Sequence, residues 1–353
     1  MTAPPARTGK LISLEVARFI AALFVAVNHI ASFSTEVGTG RPFWGLTLPP
    51  ATGVLFFFVL SGFVIHTAHR ADSGQTQRVP RYFWRRFWRI YPLYWLSIVA
   101  EVSLLGGIDH AGYLVNIFSL SPFVDKIIEL NPPAWTLRFE LTFYALYGLG
   151  LLPYLRRVLL PAWLLMLIWT WYPQYLPLPR LDHVITLPPG LNWHMLSVNN
   201  FMFFMGLAAA ELYARWQPAR RQAWSLLVLG GGALLYYTRA SAWGFLYPSV
   251  AQMPLASASF ACVIFALASL ERGGHLRLGP RWGLLGALSY PLYLLHACVT
   301  FLVGAYIVYH PRANHALPAS ALFLGVLMGA LVLATAATVL FDRPLQRLVR
   351  RAV

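Results

Sequence analysis

Charge is what this chain has least of. Only 11% of its 353 residues are Asp, Glu, Lys or Arg, against about 25% in an ordinary soluble domain. With 58% hydrophobic and 15% aromatic residues, that shortage excludes a disordered chain, a nucleic-acid module and an ordinary soluble enzyme. Cysteine is almost absent. Cys262 and Cys298 lie in long apolar runs, with neither metal-ligand spacing nor a disulfide framework. There is no phosphate-binding glycine loop, metal-binding helix motif or nucleophile elbow. No cleavable leader is visible, because the first apolar run, from Leu11, lacks a small-residue cleavage site and carries Glu15, Arg18 and His29.

What is present is apolar length. A spanning helix needs about 20 mostly apolar residues, and ten stretches qualify as candidates. They lie near Leu11–Phe33, Pro50–Thr67, Ile90–Gly107, Ala134–Leu152 and Val158–Tyr172, then near Val198–Tyr213, Ala223–Tyr237, Gln252–Leu270, Leu284–Tyr309 and Ala319–Phe341. Backbone groups inside lipid must be satisfied within the segment, so each is expected to be helical. The expectation is an all-α integral membrane protein, one domain over residues 1–353, multi-pass in the plasma or inner membrane. Both termini lie in the cytoplasm, with a tail at 1–10 and a basic tail at 342–353. The net charge of +15 fits this topology. Twenty of the 27 Lys and Arg fall in the loops then assigned to the cytoplasm. Five fall outside (Arg41, Lys126, Arg180, Arg239 and Arg312), and Arg18 and Arg138 lie within spans. That asymmetry follows the positive-inside rule and makes membrane lipids, not nucleic acid, the partner of most arginines.

One basic stretch is denser than topology requires. Arg78, Arg81, Arg85, Arg86 and Arg89 alternate with Tyr82, Phe83, Trp84, Phe87 and Trp88, as in an amphipathic interfacial helix leading into the third span. Such a cluster also suits a polyphosphate, because guanidinium forms forked bonds to phosphate oxygens.

Ionisable residues inside spans are costly and each is a functional candidate. Arg18 and His29 are eleven residues apart, about three turns, and so share one helix face about 16 Å apart along the axis. Glu15 falls near that face. His29 has the chemistry of a general base, or is a structural histidine bonded within the bundle. Arg18 is placed to meet an anion, or simply pairs with Glu15 at i, i+3. In the fourth span, Thr136 and Glu140 stack on one face. Glu140 is a candidate to orient His29 or to hold an acceptor hydroxyl, and otherwise belongs to a network with Arg138. Ser289, Tyr293 and His296 share a face of the ninth span around Pro291. Ser61-Gly62 in the second span permits close approach of a helix or a ligand. The segment Pro173–Ser197 offers Asp182, His183, Trp193 and His194 as a sugar-binding or interfacial surface. These residues are compatible with an enzyme that uses an anionic cytoplasmic donor, and equally with a proton-coupled transporter.

The motifs resemble those of the membrane-bound acyltransferase 3 family, which includes O-antigen, exopolysaccharide and nodulation-factor acetyltransferases. The resemblance rests on Arg18 followed after ten residues by His29, on Phe56-Phe57-Phe58-Val59-Leu60-Ser61-Gly62-Phe63, and on Arg85-Arg86-Phe87-Trp88-Arg89. It continues in Trp135-Thr136-Leu137-Arg138-Phe139-Glu140, Phe203-Phe204-Met205-Gly206, and the Ser289-Tyr290, Tyr293, His296 pattern. These landmarks run in family order from near residue 11 to near residue 341. The resemblance implies transfer of an acyl group, usually acetyl, from acyl-CoA to a hydroxyl of a cell-surface carbohydrate or lipid-linked sugar. No permanently bound cofactor is implied; acetyl-CoA is a co-substrate.

By position, the resemblance makes His29 the catalytic histidine and Arg18 its partner in the catalytic set, with Glu140 helping to shape the acceptor side. It places the CoA phosphates near Arg85, Arg86, Arg89 and Ser61, and the acceptor near Trp135, Thr136, Tyr293 and His296. Glu15 stands where many members carry Asp, and Arg138 where a small residue is common. The expected form is a stand-alone acyltransferase without an extracytoplasmic hydrolase-like domain. The alternative is a transporter or flippase for a sugar or lipid-linked intermediate, against which stands the lack of matching broken helices in two halves.

Overall fold

The computed structural model describes residues 10–42, 51–105, 117–121, 130–155, 157–173, 179, 181, 184, 189–240, 252–310 and 317–351. Among these residues there is no strand, only one isolated bridge between Thr39 and Pro318. The helices are α1 (Ile12–Val37), α2 (Ala51–His69), α3 (Val79–Leu105), α4 (Trp135–Leu149), α5 (Leu159–Trp171) and α6 (Pro189–Met195). They continue with α7 (Asn200–Arg215), α8 (Arg220–Ala240), α9 (Met253–Arg272), α10 (Gly283–Tyr309), α11 (Ala319–Ala337) and α12 (Arg343–Arg351).

Every one of the ten expected stretches contains a helix. Among the described residues, six helical segments are long and apolar enough by themselves to cross a membrane: Ile12–Val37, Thr52–Asp72, Asn192–Arg215, Met253–Arg272, Pro280–Tyr309 and Ala319–Arg351. The other four stretches differ for visible reasons. α4 and α5 have only 15 and 13 residues, α3 carries four arginines and Glu101, and α8 carries Arg220, Arg221 and Arg239. The protein is thus an all-α membrane protein. Large apolar side chains exposed along the outer helices, such as Val228, Leu229, Val308 and Leu340, are the surface that hydrocarbon covers. Lys126, Asp182 and His183 lie outside the described residues, as do Arg180 and Arg312.

α1 is the central helix, packed on α10, α2, α11 and α9. It runs parallel to α10. Gly286 has its Cα against the Glu15 carboxylate, His296 meets His29, and Gly304 lies beside Phe33. The start of α1 is closed by a distant residue: Glu271, at the end of α9, accepts from the backbone N–H of Ile12 and of Ser13, each at 2.7 Å. Those amides have no partner within their own helix, and a carboxylate there also meets the positive end of the helix dipole. At its other end, Thr39 exchanges backbone bonds with Leu317 and Ala319 and so joins α1 to the start of α11.

The arginine-rich stretch and the third span form one continuous helix, α3, with Pro92 inside it. Proline has no N–H, so the carbonyl four residues earlier, on Trp88, loses its helical partner. Gln346 of α12 supplies the missing donor, its Nε2 bonding Trp88 O at 2.8 Å. A five-residue π-helical turn, Thr338–Asp342, links α11 to α12 and leaves Asp342 buried. The C-terminal basic segment is therefore a helix docked on α3, beside the arginines.

α2 and α7 touch through glycine. A Cβ at Gly62 would strike Phe203 O, and one at Gly206 would strike Val59 O, so the two backbones are in contact where small residues allow it. Gly62→Ala and Gly206→Ala are each expected to cost about 1–3 kcal/mol by overpacking. The measurement is the thermal melting of detergent-solubilised protein. Gly231→Ala, whose Cβ would meet no atom within 4 Å, should not lower it, and as a helix-interior change should raise it slightly.

Candidate functional site

Six helices converge on one cavity of about 410 Å³. α1 contributes Arg18, and α3 contributes Arg85, Arg86 and Arg89. α2 contributes Val54, Phe57, Leu60, Ser61, Val64 and Ile65. α4 gives Thr136, Glu140 and Tyr144, and α10 gives Ser289, Tyr290 and Tyr293. Gln346, Val349 and Arg350 of α12 complete the wall. A second cavity of about 350 Å³ adjoins it, sharing Arg18, Arg89, Gln346 and Arg350 and adding Lys10, Glu15, Arg343 and Arg347. The cavity is cationic at the α12 end and apolar along α2.

The arginines are held, each differently. Arg89 reaches Asp342 at 3.5 Å and lies over the Tyr290 ring, 5.4 Å from its centroid. Arg86 lies over Tyr144 at 4.8 Å and over Tyr82 at 5.5 Å. Tyr144 in turn donates to the Glu140 carboxylate. Aromatic faces attract a cation without neutralising it; Arg86 also hydrogen-bonds Tyr144 and lies within electrostatic reach of Glu140. Arg18 is 3.7 Å from Glu15, which also receives Lys10 at 3.1 Å. Arg85, in the part of α3 that precedes the expected span, has its acidity raised, first by burial and then by the positive charges of Arg81 and Arg350. Crowded cations of this kind are relieved by a polyanion.

The structure brings together most of the residues singled out in the sequence. Arg18, Ser61, Arg85, Arg86, Arg89, Thr136, Glu140 and Tyr293 all line the cavity. Three do not. Trp135 packs edge-on against Phe58 and Phe139. His29 and His296 lie beyond the inner end, bonded to each other through His29 Nδ1 and His296 Nε2 at 2.9 Å. The inner end is formed by Tyr293, whose hydroxyl is 2.8 Å from Thr136 Oγ1 and whose ring meets Phe57 edge-on at 5.6 Å. Tyr293 is one helical turn before His296, so it stands between the arginines and the histidine pair. Arg138 turns away from Glu140 and donates to Ser121 O at 2.9 Å. Of the segment from Pro173 to Ser197, Trp193 is exposed and His194 is buried, its Nδ1 bonding Gly190 O at 2.6 Å.

Other polar groups carried little local signal. Glu101 of α3 is fully buried, accepting from Asn131 at 3.0 Å and from the Cys298 thiol at 3.2 Å. Asn131 also reaches Ser97 and Leu294 O, tying α3 to α10. The place of Glu101 inside a span was its one legible cue. Tyr144 stood out in no motif and Asp342 and Gln346 read as tail residues; they join the site only when the helices are assembled. Among the described residues, no group of three or more His, Cys, Asp or Glu side chains is arranged to hold a metal ion.

Membrane-crossing helices gathered around a cationic cavity, with a histidine pair beyond its inner end, define an integral membrane protein with reactive groups placed inside the bundle. The family is narrower than that class. Residues 11–341 match the model of the Acyltransferase domain family, and the chain belongs to it; the protein is a membrane acyltransferase. It is also similar to the Exopolysaccharide production protein ExoZ of Rhizobium meliloti (strain 1021), 28% identical over 312 residues, which cover 84% of this chain and 90% of that protein. No solved structure matches the chain.

The Arg89–Asp342 contact lends itself to a stability test. Asp342→Asn should lower stability by about 1–3 kcal/mol, because a half-buried guanidinium loses its charged partner. Combining it with Arg89→Gln should cost less than the sum of the two single changes, and a thermal-melting double-mutant cycle measures the difference.

Proposed function

We propose that this acyltransferase moves an acyl group, acetyl in the simplest case, from acyl-CoA to a hydroxyl of a cell-surface carbohydrate or lipid-linked sugar. The reading places ten spans in the plasma or inner membrane, with both termini and the arginine end of the cavity in the cytoplasm, where CoA is made. The observation that carries it is the layout of one cavity. Arg85, Arg86 and Arg89 lie at one end, an apolar α2 wall runs along it, and the histidine pair lies just past the other. A polyanionic head with a long thin arm has that distribution of chemistry. The name of the Rhizobium relative, an exopolysaccharide production protein, agrees with a carbohydrate acceptor.

In this reading the arginines bind the donor's phosphates through forked, charge-assisted bonds. Arg18, about 16 Å along α1 from His29, steers the arm toward the base. His29 takes the proton of the acceptor hydroxyl as its oxygen attacks the thioester carbonyl. The C–S bond breaks, and the proton passes to the departing thiolate, so that CoA thiol and the acylated acceptor are released. Glu140 and Tyr144 fix the inner side of the arginine cluster. Thr136 and Tyr293 border the path by which thioester and acceptor meet.

The test is release of CoA thiol from acetyl-CoA by purified protein given candidate sugar acceptors. His29→Ala should remove turnover by about 10²–10⁴-fold while the protein still inserts and melts normally. The double change Arg86→Ala with Arg89→Ala should raise the KM for acetyl-CoA well above any change in the KM for acceptor. Equal rises in both would mean that the arginines serve the structure alone, and full activity without His29 would remove it as the base.

A further inference from the structure

His296 is buried completely, and its hydrogen bonds determine which nitrogen of His29 is basic. Its Nδ1 lies 3.0 Å from the carbonyl oxygen of Leu292. A carbonyl only accepts, so the proton of His296 is on Nδ1. A second proton would leave an imidazolium on a side chain with no exposed surface, where an unpaired charge is costly. His296 is therefore neutral and presents a lone pair at Nε2. That lone pair is 2.9 Å from His29 Nδ1, so His29 Nδ1 donates. One proton on Nδ1 leaves the lone pair of His29 on Nε2, the nitrogen directed away from α10.

From this chain of bonds, running from the Leu292 carbonyl through His296 to His29, we infer that His296 is a positioning residue. It fixes His29 as the tautomer whose Nε2 is the free base and holds its ring for proton transfer. The inference rests on the proposed acyl-transfer reading, in which His29 takes the acceptor's proton. It differs from the sequence expectation, which grouped His296 with the acceptor-binding residues: both of its ring nitrogens are engaged within the protein. A second consequence follows once His29 Nε2 is protonated. The Nδ1–H then belongs to a cation, and its bond to His296 becomes charge-assisted and stronger. The stabilisation appears as the proton moves, which is the condition for accelerating a step instead of merely tightening binding. A neutral partner provides this without placing a fixed charge beside the base.

The experiment uses the full-length protein in lipid with ¹⁵N-labelled histidine. Solid-state NMR reads the protonated nitrogen of each ring, with His29→Asn identifying the His29 signals. Wild-type His29 should carry its proton on Nδ1. His296→Met, similar in bulk but without a ring acceptor, should release that preference and lower kcat by about 10²-fold or more, with the KM for acetyl-CoA within about twofold. His296→Gln, whose amide oxygen can stand where Nε2 stood, should recover at least tenfold of the loss. Wild-type His29 protonated on Nε2 overturns the inference even if neither variant folds. So does a His296→Met protein with full kcat, or one whose only change is in KM. A His29→Ala protein that still turns over refutes the acyl-transfer base itself, and the spectrum then still reports whether the pair is bonded as described.

Discussion

A charge carried inside lipid has to find its partner within the protein, and Arg18 sets the terms. It stands about a turn and a half into α1, with only about a quarter of its side chain exposed. Its surroundings are supplied by three helices: Glu15 from its own at 3.7 Å, Arg89 and Glu140 from α3 and α4 within electrostatic reach, and Tyr144 alongside Glu140. Glu15 in turn requires Gly286 on α10, because any side chain there would overlap its carboxylate. Seating one guanidinium thus fixes how α10 approaches α1. The same register, followed outward, brings His296 to His29.

Backbone groups follow the same rule, and their solutions place the walls of the cavity. Pro92 deprives the Trp88 carbonyl of its partner, and Gln346 answers from a helix more than two hundred residues later. The bond docks α12, and with it Arg350, at the mouth of the cavity. At the start of α1, Glu271 takes up two free amides. Its neighbour Arg272 closes the end of α7, bonding Trp216 O at 2.7 Å and the carbonyl of Tyr213. Adjacent residues at the end of α9 thereby cap two other helices of opposite polarity, a carboxylate at an N-terminus and a guanidinium at a C-terminus, each on the side the helix dipole favours.

The sequence made plain whatever repeats along one helix or stands out by its cost. Apolar length located a helix at all ten places. The eleven-residue interval put Arg18 and His29 on one face, and the density of arginine before the third span marked the cationic end of the cavity. What stayed hidden depends on partners distant in the chain. Asp342 and Gln346 belonged to a basic tail until the π-helical turn aimed them at α3. Tyr144 and Tyr290 gave no sign of a cationic partner until Arg86 and Arg89 lay across them. The sequence left the role of Glu140 open, and the structure sets it beside the arginines, bonded to Tyr144. His296 shows the limit most clearly: spacing gave its face, but not that the face meets another histidine.

The polar groups of α1 divide into two kinds, and the division has a physical reason. At the end where α1 begins, charges are paired and numerous, and water and headgroups are near enough to share them. Toward the other end, the ionisable groups on the α1–α10 contact are two imidazoles that satisfy each other while uncharged. A carboxylate beside His29 would make a stronger base, but it would hold a charge inside the bundle throughout the resting state. A second imidazole lets the pair remain neutral until a proton arrives. In the proposed reaction, the arginines hold the donor's charge at one end of α1, and the proton is taken up at the other. The transient cation then exists only while the acyl group is in passage, and the Leu292 carbonyl behind His296 holds the pair in register throughout.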